Sequence, residues 1–305
     1  MRRALVTGAS GYIGIALIRK LVAKEIEVIA VVRNPSSFPA DLKDAVRIIE
    51  GDARDILSLT ESIGSGIDAI YHLAWHGVSP ELRNDFEVQL SNVAMSGECV
   101  KAAAVLDIPK FIFLGSAMEY MYDGRLINED AVPSSSNFYG TAKISAHYMC
   151  AELARQLGVD FIYAVATSVY GVGREDNNVI FYVMDKLLKK EKPSVTKLEQ
   201  KWDYIHINDL SEALYAIGQK GKAGAFYSLG YGANQPLSAY LEIVRDLIDP
   251  TLPLGIGEVP YAQGRIPSSC MDPTSLLRDT GFAPSISFRD GIAEVIDFYK
   301  QKRGY

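Results

Sequence analysis

Apolar residues along this chain fall into short continuous runs, separated by stretches in which they recur every three or four positions. ALVT, EVIAVV, VRIIE and IDAIYHLA are runs of the first kind and predict strands. Residues 12–24 and 55–63 carry helical spacing between them. A longer helix is predicted from about Asp85 to Leu106, closed before Pro109, and KFIFLGS follows as a buried strand. Tyr139 to Leu157 reads as the next helix, with Ser136 or Asn137 as cap and Gly158 as stop. FIYAVATS then returns as a strand. Continuous Val/Ile/Leu/Ala strands need cover on both faces, so their alternation with helices predicts an α/β fold with a doubly wound parallel sheet.

Beyond Ser168 the alternation breaks. Pro and Gly gather at Pro193 and from Pro250 to Pro267, and a single core-like run, WDYIHI, leads into a helix from about Asp209. Residues 1–167 with about 202–218 are therefore expected to form the core. About 168–201 with 219–305 are expected to form a smaller, discontinuous substrate lobe.

At 305 residues, 48% hydrophobic and 22% charged, the chain has the make-up of an ordinary globular protein. Its net charge of −6 argues against nucleic acid or an anionic membrane as partner. Apolar runs stay shorter than a signal core or membrane span, which points to the cytoplasm. Cys99, Cys150 and Cys270 are odd in number and far apart, as expected of free thiols. His72 and His76 lie in an apolar strand running into a loop, so they read as packing, and no metal is expected.

Chemistry enters with Gly8-Ala9-Ser10-Gly11-Tyr12-Ile13-Gly14, directly after a strand and opening a helix. Glycine is required where backbone turns tightly against a pyrophosphate, and the helix N-terminus offers N–H donors to the phosphates. Gly8, Ser10, Gly11, Tyr12, Ile13 and Gly14 are thus the expected dinucleotide contacts of a Rossmann-like core. A second motif is Tyr139-Gly140-Thr141-Ala142-Lys143. Residues four apart share a helix face. A tyrosine of pKa about 10 is a poor base at neutral pH, and a lysine cation beside it favours the phenolate. Ser116 ends a strand 23 positions earlier and would hold a substrate oxygen.

With these motifs in this order, the chain resembles the extended short-chain dehydrogenases of the NAD(P)-dependent epimerase/dehydratase type. FLGSAMEY is similar to that family's SSxxVYG segment and VATSVYG to its NVYG segment. WDYIHINDL resembles its RDxIxVxD segment, and the ending from Asp272 resembles that of sugar-nucleotide enzymes. The resemblance implies catalysis by Ser116, Tyr139 and Lys143, with Lys143 also holding the nicotinamide ribose. It implies that Asp52 and Ala53 meet the adenine, and that Leu73, Ala74, Asn92 and Thr167 line the cofactor. On the substrate side it points to Trp75, Ser168, Asn178 and a diphosphate-binding Arg265, with His76 and Tyr170 bordering the sugar. It also implies a homodimer through the two long helices, where Ala102, Ala103, Ala104, Ala146, Met149 and Ala151 suit close helix packing, as they equally suit packing on the sheet.

Departures matter as much. Ala117 and Met118 stand where sugar-nucleotide dehydratases carry Asp-Glu, which speaks against 4,6-dehydration. Trp202 replaces an Arg, and Ser168 an Asn. Arg33 follows the second strand, and no acid occurs from Val28 to Ala40. An acid there would repel a 2′-phosphate and an Arg accepts it, so NADP is expected over NAD, with NAD possible. The expected substrate is a nucleotide-diphospho hexose and the expected reaction 4-keto reduction. A nucleotide-sugar 4-epimerase, a ketoreductase of a non-nucleotide carbonyl compound and a non-catalytic dinucleotide sensor are the alternatives.

Overall fold

The apolar runs become strands. β1 (Arg3–Thr7), β2 (Glu27–Val32), β3 (Arg47–Glu50), β4 (Ala69–His72), β5 (Lys110–Ser116), β6 (Asp160–Ala166) and β7 (Phe226–Leu229) make one sheet. Among the described residues it is seven-stranded, in the order β7-β6-β5-β4-β1-β2-β3, and all its neighbours run parallel. The structure, a computed structural model, describes residues 1–121, 124–174, 178–261 and 266–304.

The α-helices of seven or more residues are α1 (Tyr12–Ala23), α2 (Phe86–Val105), α3 (Phe138–Leu157), α4 (Val179–Leu188), α5 (Ile207–Lys220), α6 (Leu237–Ile248), α7 (Thr274–Thr280) and α8 (Phe288–Arg303). Leu17, Ile18 and Leu21 of α1 pack with Leu210 and Leu214 of α5 on one face of the sheet. Met95 and Cys99 of α2 pack with Ala146 and Cys150 of α3 on the other. Strand order reverses between β1 and β4, which opens a crevice at their carboxyl ends where such sheets bind ligands. Among the described residues no helix is long and apolar enough to cross a membrane.

The smaller lobe has its own core, in which α4, α6 and α8 close over Tyr170 and Tyr204. Its predicted boundary needs correcting. Phe226–Leu229 was expected in that lobe, but it is β7, the edge strand of the main sheet. Helix α7 also packs on the core side through Leu276. FIYAVATS splits: β6 ends at Ala166, and Ser168–Tyr170 leaves the sheet to pair with Tyr204–His206.

Long helices α2 and α3 stop where expected, with caps that explain their ends. Asp85 accepts the Val88 N–H at 3.0 Å. Asn137 accepts the Gly140 N–H at 2.9 Å, and Gly158 closes α3 at φ 73°. Such a cap stabilises a helix by about 1 kcal/mol; here it fixes the first turn, which carries Tyr139. Of the small residues that suited either a subunit interface or the sheet, Ala102, Ala103 and Ala146 pack in the core, whereas Met149 is 64% exposed.

Candidate active site

The glycine turn sits at the crevice and fits a dinucleotide. Gly8 has φ +70°, and a Cβ there would lie 2.6 Å from the Ala74 nitrogen; one at Gly14 would lie 2.3 Å from the Gly8 carbonyl oxygen. Only glycine permits this approach of β1 to the loop after β4. Helix α1 starts at Gly11 without a side-chain cap and without an acid in its first turn. Its N–H groups are therefore left for an anion. A cavity of about 260 Å³ opens here, lined by Gly8, Ser10, Gly11, Arg33, Asp52, Ala53, Leu73, Ala74, Trp75 and His76, and also by Val31 and Gly51. Tyr12 and Ile13 turn their side chains aside: the Tyr12 ring faces the Arg174 guanidinium at 5.8 Å, and Ile13 packs on the core.

A buried polar chain supports the turn. Thr7 meets His72 Nδ1 at 2.9 Å, His72 Nε2 meets Ser96 at 3.0 Å, and Ser96 donates to the Asn92 carbonyl. Burial drives the His72 pKa down to about 3, so the ring is neutral. Asn92 differs from its expected place on the cofactor. Its carboxamide accepts the His76 N–H at 2.8 Å and donates to the His76 and Val88 carbonyls. Its role is to pin the loop after β4.

That loop carries His76 to the far end of the cleft, rather than to the sugar side. Its Nδ1 lies 3.3 Å from Arg33 Nη1, and its Nε2 lies 3.8 Å from Asp52. Asp52 caps the next turn and takes a two-pronged contact from Arg54, whose hydrogen bond pulls the carboxyl pKa down to about 2.

At the other end of the cleft, Ser116, Tyr139 and Lys143 come together at the close of β5. The Ser116 hydroxyl hydrogen-bonds the Tyr139 phenol and lowers its pKa, but burial outweighs this and pushes it up to about 12. Lys143 was expected to lower it further. Its Nζ instead donates to the Leu114 carbonyl at 2.8 Å and lies over the Trp75 ring at 3.8 Å. Burial pulls the Lys143 pKa down to about 7. Trp75 stands edge-on to Tyr139 at 6.0 Å and donates to Gln89.

Several expected substrate or cofactor residues are occupied elsewhere. Asn178 caps α4 by accepting the Phe181 N–H at 3.1 Å. Thr167 donates to the Asp203 carbonyl and meets Ser269 at 2.8 Å. Tyr170 is buried against Tyr204 and Phe288. Arg265 lies outside the described residues. Ser168 and Trp202, two separate departures in the sequence, turn out to be one pair: Trp202 Nε1 donates to Ser168 Oγ at 3.0 Å.

A family model described as "NAD dependent epimerase/dehydratase family" matches residues 4–230. The chain belongs to this family. It is 22% identical to a dTDP-glucose 4,6-dehydratase of Streptomyces niveus, covering 99% of this chain and 94% of the relative. It is 25% identical to a UDP-glucose 4-epimerase of Corynebacterium glutamicum, covering 90% and 86%. Among solved structures, a Thermotoga maritima UDP-glucose 4-epimerase with UDP-glucose matches at TM-score 0.85 and 20% identity, covering 99% of both chains. A Streptomyces venezuelae dTDP-glucose 4,6-dehydratase with NAD bound matches at TM-score 0.84 and 22% identity, covering 99% and 98%.

As a member of the epimerase/dehydratase family, the protein is an enzyme of the short-chain dehydrogenase type. The residues lining the cleft would hold a nicotinamide dinucleotide, which would supply hydride transfer. The chain's own groups would manage the oxygen of a reacting substrate carbon. Ser116 Oγ can hold it by a hydrogen bond, and the proton on Tyr139 Oη can be given to it or taken back. Lys143 packs its ammonium against the Leu114 carbonyl and the Trp75 ring at this end of the site.

Glu119 is a buried polar residue beside the site that sequence reasoning passed over. It stands at the Val position of SSxxVYG and is completely buried beside Ser116. S-A-M-E has the spacing of a capping box, and that signal was available in the sequence.

Proposed function

We propose that this enzyme reduces a 4-keto nucleotide-diphospho hexose with NADPH. The observation that carries this is the meeting of Ser116 and Tyr139 at the β5 end of a dinucleotide cleft whose other end presents Arg33. A phenol held protonated is a proton donor, the role that carbonyl reduction asks of it. Ala117 and Met118 supply no carboxyl pair, which speaks against dehydration. Substrate class is inferred from relatives named for UDP- and dTDP-sugars. A 4-epimerase is the second reading, favoured by the structural match to the Thermotoga epimerase. Free thiols at Cys99, Cys150 and Cys270 suit a reducing compartment such as the cytoplasm. Exposed Leu90, Phe138, Tyr148 and Met149 on α2 and α3 support a homodimer.

The test is a screen of nucleotide sugars and their 4-keto derivatives with NADPH and NADH, read by cofactor absorbance and product analysis. Stoichiometric NADPH consumption with a 4-keto sugar is expected, and Tyr139→Phe should slow it about a hundredfold or more while cofactor still binds. Conversion between two 4-epimers without net cofactor use would establish the epimerase instead. Turnover unchanged in Tyr139→Phe would remove the tyrosine from the chemistry.

A further inference from the structure

Two side chains from different strands meet at the mouth of the cleft, and the proton chemistry of Ser116 and Tyr139 uses neither. Arg33 follows β2 and His76 lies in the loop after β4. In the sheet β1 lies between those strands. The Arg33 side chain therefore reaches across the carboxyl end of β1 to bring Nη1 within 3.3 Å of His76 Nδ1. Both residues line the cavity at the glycine turn, together with Ser10, Asp52 and Ala53.

A guanidinium has no acceptor to offer, so in this contact Arg33 donates and His76 Nδ1 accepts. The ring is then neutral and carries its proton on Nε2, which faces Asp52 Oδ1 at 3.8 Å. Burial, and after it the Arg33 charge, hold the His76 pKa below its ordinary value, in keeping with a neutral ring. The Asp52 carboxylate is already taken by Arg54 at 2.8 Å. His76 is itself held in place by its backbone: Asn92 accepts its N–H at 2.8 Å and donates to its carbonyl at 2.9 Å. Those bonds persist whatever side chain stands at position 76. Arg33, by contrast, is exposed, and a long side chain at a strand end has many rotamers to choose from. The acceptor at Nδ1 selects the one that lies along the cavity.

We propose that His76 sets cofactor specificity as a positioning residue that acts through Arg33: it holds the guanidinium where a 2′-phosphate on the adenosine ribose would meet it. The idea rests on the NADPH reading above and supplies the second residue for it. A guanidinium ordered before the ligand arrives loses less freedom on binding. That advantage goes to a dinucleotide carrying the phosphate and not to one without it.

NADP⁺ and NAD⁺ differ only in that phosphate, and calorimetric titration of the full-length chain gives a Kd for each. His76→Phe keeps a flat ring and removes the acceptor. It should weaken NADP⁺ binding about fivefold and leave NAD⁺ binding unchanged. His76→Asn, whose carboxamide oxygen can stand in for Nδ1, should restore most of the loss. With Arg33→Ala already in place, His76→Phe should change neither constant further, because its effect passes through the guanidinium. Equal weakening of both dinucleotides in His76→Phe, or a second loss on top of Arg33→Ala, overturns the proposal. Should the wild type bind both dinucleotides equally, the NADPH reading fails and the proposal with it. A wild-type preference for NADP⁺ that His76→Phe leaves intact overturns the proposal alone.

Discussion

Arg33 ends β2 with its guanidinium at the mouth of the cleft, 3.3 Å from His76 Nδ1. Among the described residues no carboxylate holds it in the way that Arg54 is held by Asp52. A 2′-phosphate entering here would meet Arg33 as a charge-assisted hydrogen-bond donor, a contact of about 1.5–3 kcal/mol. Arg33→Ala should therefore raise the Kd for NADPH roughly tenfold or more and leave that for NADH nearly unchanged. Fluorescence titration of both cofactors checks this, and an NADPH preference that survives the substitution would sink the role given to Arg33. At this scale the sequence was legible where spacing alone defines a site. Tyr139 and Lys143 had to share a helix face, and Ser116 had to end a strand. It was not legible where a polar side chain chooses between a ligand and a nearby backbone. Asn92 and Asn178 spend their amides on backbone groups: Asn178 on the first turn of its own helix, and Asn92 partly on a loop 16 residues away. The link from Glu119 to Tyr163 was hidden for the converse reason: that partner lies on β6, 44 residues away.

Among the elements, the turn between β1 and α1 shows how one residue couples two strands. Gly8 combines a left-handed backbone with contact on Ala74, so it joins β1 to the loop after β4. Gly8→Ala adds a left-handed backbone cost of about 1–2 kcal/mol and drives a methyl into the Leu73–Ala74 peptide. Thermal unfolding should move to lower temperature, and cofactor affinity should fall with it because α1 shifts. A variant that melts and binds as wild type would show that the close approach is dispensable. Strands such as EVIAVV and KFIFLGS were read correctly because continuous apolar runs have few other uses. Ser168 was read as part of the preceding strand because the exit of Ser168–Tyr170 from the sheet depends on pairing with Tyr204–His206, far along the chain.

For the molecule as a whole, α2 and α3 lie side by side and present Phe86, Leu90, Phe138, Tyr148 and Met149 outward, each about half exposed or more. Phe86 and Phe138 already meet edge to face at 5.7 Å across the two helices. A patch of this kind is what a second copy would cover in a two-fold dimer. Met149→Glu should shift the protein from dimer to monomer in sedimentation velocity with little change in fold. A wild-type monomer at micromolar concentration would remove the dimer altogether.

The late arrival of β7 has a consequence for how the protein is made. Ser116, Tyr139, Lys143 and the glycine turn have all been synthesised by residue 143, and β6 follows by residue 166. The outer edge of β6 then waits for Phe226–Leu229, some sixty residues later, before its hydrogen bonds are met. During that interval the nascent chain carries every reacting group, yet exposes the apolar edge Phe161-Ile162-Tyr163-Ala164-Val165, a template for pairing with other chains. The strand that contributes nothing to the chemistry is thus the one that decides when the growing chain becomes safe from its neighbours.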